Sequence, residues 1–568
     1  MFTGKITITR VCLSIDFTYQ RYTLQGRERS MTITLEYVKK LMGWCPNTGA
    51  FEGRQYSDIG KIELDTLDDI RGRNGDLRSE PKKTSFITNI LKLVSGNITA
   101  QILSIIFVFL AVKIYNPEYI GISHLILSIS SILMIFSTFS YQFAIMLPKT
   151  EEDSANLACL CTILVTLTSL ITALILLFFP KYVDYLLNSP EISNYLIYIP
   201  AIIFFNGIFL TQNYWLSRKT SFGVIAGSKV INSVSTGVLQ LAIPIWNVSP
   251  LGLIVGYIVG YGNADFFMLK DIREDLRIFK KVSLKRVKEI AIQYKDFPLF
   301  NSSSTLTNTI SLQIPTILLG HYYGTSIVGY FFLANQILNI PLGFLGAAIE
   351  QVFFQKISAV KNGNESGGMK DIVEEVYKKL ILIGVFPTLL FLILGKEIFT
   401  FIYGESWYIS GIYIKILVPW IFLVFISQPI SSLYMVFDKQ GVWFTFSITL
   451  LISRVIALVI GGTYGSPEFA LGLFSFTGVL FWIWNNSYLL NLAGINKIKS
   501  AKIFLKCVTI SIIVLLPLIL LKVFSVSFYI ILLAVVLMTP IYYGITLHDD
   551  PTFKRMFSAL LCGVKNKI

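Results

Sequence analysis

From about Ser95 onward, apolar blocks of roughly 20 residues alternate with short polar connections as far as the C-terminus. A block of that length crosses the hydrocarbon core of a bilayer as a helix. The criterion predicts about fourteen spans, centred near Ile105, Ile132, Leu167, Phe204, Leu239, Ile258, Ile310, Pro341, Leu390, Ile421, Ile452, Phe481, Leu515 and Val535. Two segments have a different period. Ser85–Leu93 and Leu284–Ile292 place apolar residues at helical spacing with polar or basic ones between, so each predicts an amphipathic helix on the membrane interface. The expected fold is an all-α integral membrane protein.

The pattern also repeats. Ile114-Tyr115-Asn116-Pro117-Glu118-Tyr119-Ile120-Gly121 follows the first span, and Tyr322-Tyr323-Gly324-Thr325-Ser326-Ile327-Val328-Gly329 follows the seventh. Pairing Tyr115 with Tyr323 pairs Gly121 with Gly329. The spans before these turns are both polar in their first halves, from Ser95 to Gln101 and from Asn301 to Thr309. An even number of spans per repeat keeps both copies in one orientation. That predicts two six-helix repeats related by a pseudo-two-fold along the membrane normal, with a site between them and two extra C-terminal helices. The expected organisation is an irregular cytoplasmic extension at 1–84, a first bundle at 85–270, an amphipathic linker at 271–295, a second bundle at 296–493, and two further spans with a short tail at 494–568. No apolar run near Met1 resembles a secretory signal.

A net charge of +14 in 568 residues would suggest nucleic acid in a soluble protein. Here the cations sort by loop. Arg218, Lys219, Lys270 to Lys295, Lys356 to Lys379, Lys497 to Lys506 and Lys554 to Lys567 fall on one side, and only Lys113, Lys181, Lys396 and Lys522 on the other. This bias places both termini in the cytoplasm and leaves no role for nucleic acid. Cys12, Cys45, Cys159 and Cys161 form no C-x-x-C, and His124, His321 and His548 are scattered, so neither a metal nor a cofactor is expected. There is no Walker motif, no large loop for a catalytic domain and no catalytic constellation.

Polar side chains within spans are the remaining candidates. Asn97 and Gln101 in the first span, and Asn301, Thr305 and Asn308 in the seventh, would be poorly satisfied against lipid. They suit a hydrated cavity, or close helix packing. Arg454 lies near the middle of its span, too deep to reach an interface, and its guanidinium fork matches phosphate oxygens. It is expected to point into the cavity between the halves; the structural alternative is a buried ion pair. Lys229 enters about two turns from the inner end, where snorkelling is an equal account. Asp265, Glu350 and Lys415 are expected near span ends. Asn263/Asp265 and Asn485/Asn486 fall at similar places in their halves, either at the inner mouth or bonded to neighbouring helices. Pro244, Pro315, Pro341, Pro387, Pro419 and Pro429 predict kinks.

Residues 85–495 resemble the polysaccharide and O-antigen flippases (Wzx-like) of the multidrug/oligosaccharidyl-lipid/polysaccharide exporter superfamily. The most specific run is Ser140-Tyr141-Gln142-Phe143-Ala144-Ile145-Met146-Leu147-Pro148-Lys149, continuing through Glu151, Glu152 and Asp153 to Ala155-Asn156-Leu157. Tyr115–Gly121 and Ala334–Pro341 with Gln351-Val352-Phe353 also match. The family often has Arg before the Tyr and Glu after it, where this chain has Ser140 and Gln142, so that charged pair is not transferred. The resemblance implies a flippase for polyprenyl (pyro)phosphate-linked oligosaccharide in the cytoplasmic membrane. Its implied partners are that substrate, membrane lipids and glycan-assembly proteins, and it implies no enzymatic step. A cation-coupled drug exporter of the same superfamily is the runner-up, and a membrane polymerase or ligase a third reading. Separately, Met31–Asn47, with its Met-Gly-Trp-Cys-Pro-Asn run, resembles the beginning of small archaeal membrane proteins. That likeness covers under twenty residues, implies no activity and leaves Met31 open as an alternative start.

Overall fold

The computed structural model describes residues 3–9, 12–18, 86–179, 190–361, 368–524 and 526–547. The chain divides into two units, residues 1–83 and 84–568. In the first, β1 (Thr3–Thr9) and β2 (Cys12–Thr18) pair antiparallel, with Thr3 opposite Thr18 and Thr9 opposite Cys12. Both strands alternate apolar and polar residues with period two, a signal that the turn-rich composition of the following residues masked. The turn-rich runs and the Met31–Asn47 segment lie outside the described residues, as do the basic tail from Lys554 and His548.

The second unit is helical throughout its described residues. Its first six long helices are α1 (Phe86–Ile114), α2 (Pro117–Thr138), α3 (Glu151–Phe178), α4 (Ile199–Arg218), α5 (Phe222–Ala242) and α6 (Pro250–Ile272). The short amphipathic α7 (Leu284–Gln293) follows. Then come α8 (Ser302–Tyr323), α9 (Thr325–Pro341), α10 (Ala347–Lys361), α11 (Met369–Tyr403), α12 (Tyr408–Ile430), α13 (Gln440–Tyr464) and α14 (Pro467–Leu492), and finally α15 (Lys497–Val523) and α16 (Phe528–Leu547). Each of the fourteen expected centres falls within a helix. Among the described residues, eleven helices are long and apolar enough to cross a membrane, so the protein is a multi-pass membrane protein. The helices α8, α9 and α16 fall outside that group: α9 has 17 residues, and the start of α8 is a run of Ser, Thr and Asn.

Two sequence expectations need correction. Residues 86–93 form no separate interfacial helix but run on into the first span as α1. The eighth span is not one helix centred on Pro341. It breaks there, where Pro lacks the amide for the ladder, and continues through a π-helical segment, Leu342–Gly346, into α10. A second π-helical segment, Phe297–Asn301 with Pro298, precedes α8.

The helix ends follow local rules. Asn116 caps α2 by accepting the Tyr119 amide at 2.8 Å, with Pro117 in the first turn. Thr150 caps α3, whose first turn holds Glu151, Glu152 and Asp153 beside the positive end of the helix dipole.

Helix pairings recur between the halves. Just as α1 packs on α5, α8 packs on α13; α5 on α6 is matched by α13 on α14, and α3 on α4 by α11 on α12. The hydroxyl of Tyr115, beyond the end of α1, donates to Gln240 O of α5 at 2.9 Å. Tyr323, at the end of α8, donates to Gly461 O of α13 at 2.7 Å. The halves meet chiefly where α2 lies against α8 and α9. The α15–α16 hairpin packs on α11.

Candidate functional site

Helix α5 holds a polar stripe, Lys229, Asn232, Ser233, Thr236 and Gln240, at spacings that keep these residues on one helical face. This stripe faces α1 and α6. Asn97, Gln101 and Ser104 of α1, Lys229, Asn232 and Ser233 of α5, and Tyr261 of α6 surround a cavity of about 300 Å³, closed on one side by Phe209 of α4. That volume is at the small end of the range for ligand pockets. Lys229 Nζ donates to Asn97 Oδ1 at 2.9 Å, and Ser104 and Ser233 share a hydrogen bond of 3.0 Å. The ammonium therefore turns into the first bundle and is held there, where the sequence left snorkelling open. Its Asn97 contact occupies only one of three donors, so it can still meet an anion.

One residue of this lining also approaches the second half. Gln101 Nε2 lies 3.0 Å from where a Cβ on Gly343 would sit, in the π-helical segment after α9. Further along α1, Ile105, Ile106 and Phe109 face Gln336, Ile337 and Ile340 of α9 across an apolar cavity of about 210 Å³. A polar compartment and an apolar one thus succeed each other along one face of α1.

One turn beyond Tyr261, Asp265 is 5% exposed, and neither carboxylate oxygen has a hydrogen-bond partner among the described residues. This corrects the expectation that it reaches an interface. The amide of Asn232 and the hydroxyl of Thr236 are also buried without partners among those residues. The amide and hydroxyl can take a water or an acceptor, and the carboxylate a water, a proton or a cation.

The structure brings together Asn97, Gln101 and Lys229. It does not bring the other candidates to them. Asn301, which ends the π-helical segment, and Thr305 and Asn308 of α8 are exposed and do not line this cavity. Arg454 is 6% exposed, and every polar and ring contact of its guanidinium among the described residues comes from the second half. It donates to Ser311 Oγ of α8 at 3.0 Å and lies over the rings of Trp420 (5.0 Å) and Phe474 (5.4 Å). No carboxylate is within 4 Å of it among the described residues, and its Nε has no partner there. So the contacts of Arg454 among the described residues all lie within the second half, and none of them is an ion pair. Depth along the helix was readable from sequence, whereas azimuth depends on which neighbour covers each face. The second half has a cavity of its own, about 540 Å³, lined by Thr445, Thr449, Phe446, Phe481 and Trp484 of α13 and α14.

Asn485 and Asn486 bond neighbouring helices: Tyr434 Oη donates to Asn485 Oδ1 at 2.7 Å, and Asn486 Nδ2 donates to Leu423 O at 3.3 Å. Lys415 and Lys522 both approach Glu397, at 4.0 and 2.8 Å. Glu350 is half-buried in the first turn of α10.

The run from Ser140 to Leu157 is a clamp at the basic end of the bundle. Arg218 donates to the carbonyl oxygens of Met146 and Pro148 at 3.1 and 2.7 Å. Asp153 grips Arg286 of α7 through both oxygens, at 2.8 and 3.0 Å, and Asn156 Oδ1 accepts the Ser283 amide at 3.2 Å. Hydrogen bonding to Asp153, and then to Glu289, raises Arg286 further above its ordinary range, so it stays a cation. Tyr141 Oη donates to Ala291 O at 2.8 Å, and Ser140 bonds Ser302, at the start of α8, at 3.1 Å. Ser140 therefore ties the first half to the second without charge, and Gln142 is buried beside it in sequence. The acidic run was visible in the sequence, but its partner α7 lies more than a hundred residues away.

Residues 109–411 match the polysaccharide biosynthesis protein family. The teichuronic acid biosynthesis protein TuaB of Bacillus subtilis is 23% identical over 56% of this chain and 66% of its own length. The lipopolysaccharide biosynthesis protein WzxC of Escherichia coli is 23% identical over 29% of this chain and 33% of its own. The chain thus spans less than two thirds of either relative. Among solved structures, the lipid II flippase MurJ in an inward closed conformation superposes with a TM-score of 0.63 at 17% identity, covering 81% of this chain and 99% of that one. An inward-facing multidrug resistance MATE family transporter of the MOP superfamily superposes with a TM-score of 0.53 at 16% identity, covering 69% and 96%. These two likenesses establish a shared fold.

Proposed function

Since the chain belongs to the polysaccharide biosynthesis protein family, we propose that it is a flippase for polyprenyl (pyro)phosphate-linked oligosaccharide in the cytoplasmic membrane. The observation that carries this reading is the polar cavity around Lys229, inside a bundle whose outer surface is apolar. A sugar phosphate cannot enter hydrocarbon, because its hydroxyls would lose their hydrogen bonds and its charge its counter-ion. Asn97, Gln101 and Ser104 offer amide and hydroxyl partners to sugar, and Lys229 offers a cation to phosphate. The apolar cavity along α1 lies next to them, while the polyprenyl tail stays in the bilayer. The exposed Asn301, Thr305 and Asn308 extend the polar surface on α8. The two repeats alternate access about a pseudo-two-fold along the membrane normal, within fourteen spans with both termini in the cytoplasm. The substrate's bonds do not change. Glycan-assembly proteins that load and consume it are the expected protein partners, and that consumption or an ion gradient supplies the drive.

A reconstituted flipping assay tests this. Liposomes containing the full chain and a defined lipid-linked sugar should show protein-dependent exposure of the sugar to an added impermeant reagent. Protein-dependent efflux of organic cations without sugar exposure would favour the second reading, a cation-coupled exporter, for which the buried Asp265 is the supporting observation. Sodium or proton gradients imposed on the same liposomes measure coupling directly.

The orientation has its own test. In a cysteine-free background, Tyr464→Cys, in an exposed position at the end of α13, should react with an impermeant maleimide added to intact cells, and Lys285→Cys on α7 should not. The reverse result overturns the assignment of sides.

A further inference from the structure

At the end of the bundle opposite the basic loops, the halves meet backbone to backbone. A Cβ on Gly121 of α2 would lie 1.7 Å from Thr325 O, in the first turn of α9. A Cβ on Gly329 of α9 would lie 1.8 Å from Pro117 O, in the first turn of α2. Neither position admits a methyl group. Only a glycine Hα fits, and it meets a carbonyl oxygen, as in close-packed membrane helices. The two contacts are images of each other: Gly329 and Thr325 lie 208 positions after Gly121 and Pro117, the offset that aligns Tyr323 with Tyr115.

One turn deeper, His124 and Phe332 have the same offset, and their rings stack with centroids 3.3 Å apart and planes at 19°. A residue that touches its own image lies on the symmetry axis. Gln336, Ile337 and Ile340, one to two turns further along α9, line the apolar cavity that α1 shares with the second half. The glycine crossing and the stacked pair therefore sit on the axis, toward the opposite end of α9 from the residues that line that cavity.

We propose that the Gly121–Gly329 crossing, with His124 and Phe332 stacked beneath it, is the closure of the translocation path at this end, and that the path opens there when α2 and α9 separate. This rests on the alternating-access reading. The glycines are needed because closure requires the carbonyls of Pro117 and Thr325 to come within van der Waals contact of the opposite Cα. A side chain at either position would hold the closure apart.

Spin labels on Glu118→Cys and Ser326→Cys, an image pair near the ends of α2 and α9, report the opening in the full chain in lipid nanodiscs, in a cysteine-free background. Gly121→Ala and Gly329→Ala should each lengthen the interspin distance and lower flipping at least several-fold. Gly472→Ala, where a Cβ meets nothing within 4 Å, should change neither. Unchanged distance in the two closure variants overturns the proposal, and so does a lengthened distance with normal flipping. A second arm keeps both glycines. A reducible cross-link joining the two thiols of the unlabelled Glu118→Cys, Ser326→Cys double variant should stop flipping, and reduction should restore it; flipping that survives the cross-link overturns the proposal. If the ends move as expected but no lipid-linked sugar crosses, it is the substrate reading that fails.

Discussion

Lys229→Ala should fold and insert like the parent protein and flip lipid-linked sugar phosphate about 10- to 100-fold more slowly, the range that loss of one charge-assisted hydrogen bond of about 1.5–3 kcal/mol predicts. The lysine is held by Asn97 on α1 and faces the polar cavity, so its removal leaves an amide that cavity water can satisfy and strands no charge. Lys229→Arg keeps the cation and should retain part of the rate. Lys229→Gln keeps a donor within reach of Asn97 but removes the charge. The three variants separate the roles when initial flipping rates and thermal unfolding are measured together. If the Gln variant flips like the parent, the ammonium does not meet phosphate, and the cavity loses its assigned ligand.

Arg454→Met should behave differently: thermal stability close to the parent, with a fall in maximal flipping rate and little change in apparent affinity. Removing one member of a buried ion pair costs about 3–5 kcal/mol because the other is stranded. Arg454 has no such partner among the described residues. What is lost is a hydrogen bond to Ser311 and stacking on Trp420 and Phe474, worth up to about 2 kcal/mol for a desolvated cation over a ring. What is relieved is the burial of a cation, about 2.5–3.5 kcal/mol at a helix centre on insertion scales. The terms nearly cancel. Through Ser311 the guanidinium holds α8, whose start presents Asn301, Thr305 and Asn308. The expected role is that of a positioning residue, whose loss appears in rate. A loss of apparent affinity instead would return Arg454 to direct contact with substrate in another conformation. A large drop in unfolding temperature would reveal an acidic partner.

These two cations show what was legible in the sequence. Length and hydropathy placed each expected centre within a helix, because crossing hydrocarbon constrains composition over a whole segment, though at Pro341 the helix ends. The Tyr115–Gly121 and Tyr323–Gly329 runs pointed to matching turns, because tight turns between long helices restrict residue choice, and both tyrosines bond the helix that packs on their own. On α5 the sequence singled out Lys229 alone; the rest of its stripe, to Gln240, gained meaning only from the helices that pack on it. Which stripe faces a cavity is not written in periodicity. Lys229 and Arg454 are both intramembrane cations on polar-faced helices, and only the neighbours decide that one borders a polar cavity and the other packs against aromatic rings. The acidic first turn of α3 is similar: its residues suit a helix N-terminus on local grounds, and only the fold supplies Arg286.

That clamp settles which half owns the linker. With Asp153 on Arg286, Asn156 on Ser283 and Tyr141 on Ala291, α7 is built into the first half although it is the piece of chain that leads to the second. It is a bracket held at three points, and the path from bracket to α8 runs through the π-helical turn at Phe297–Asn301. A residue added to that turn would rotate α8 by about 100° relative to everything before it, by the 3.6-residue period. A residue added between α6 and α7 would instead strain the clamp. The two ends of this connection therefore tolerate change unequally. A protein divided into two chains between α7 and α8 would keep the clamp whole, whereas one divided between α6 and α7 would leave the acidic turn of α3 to recapture a partner carried on the other chain.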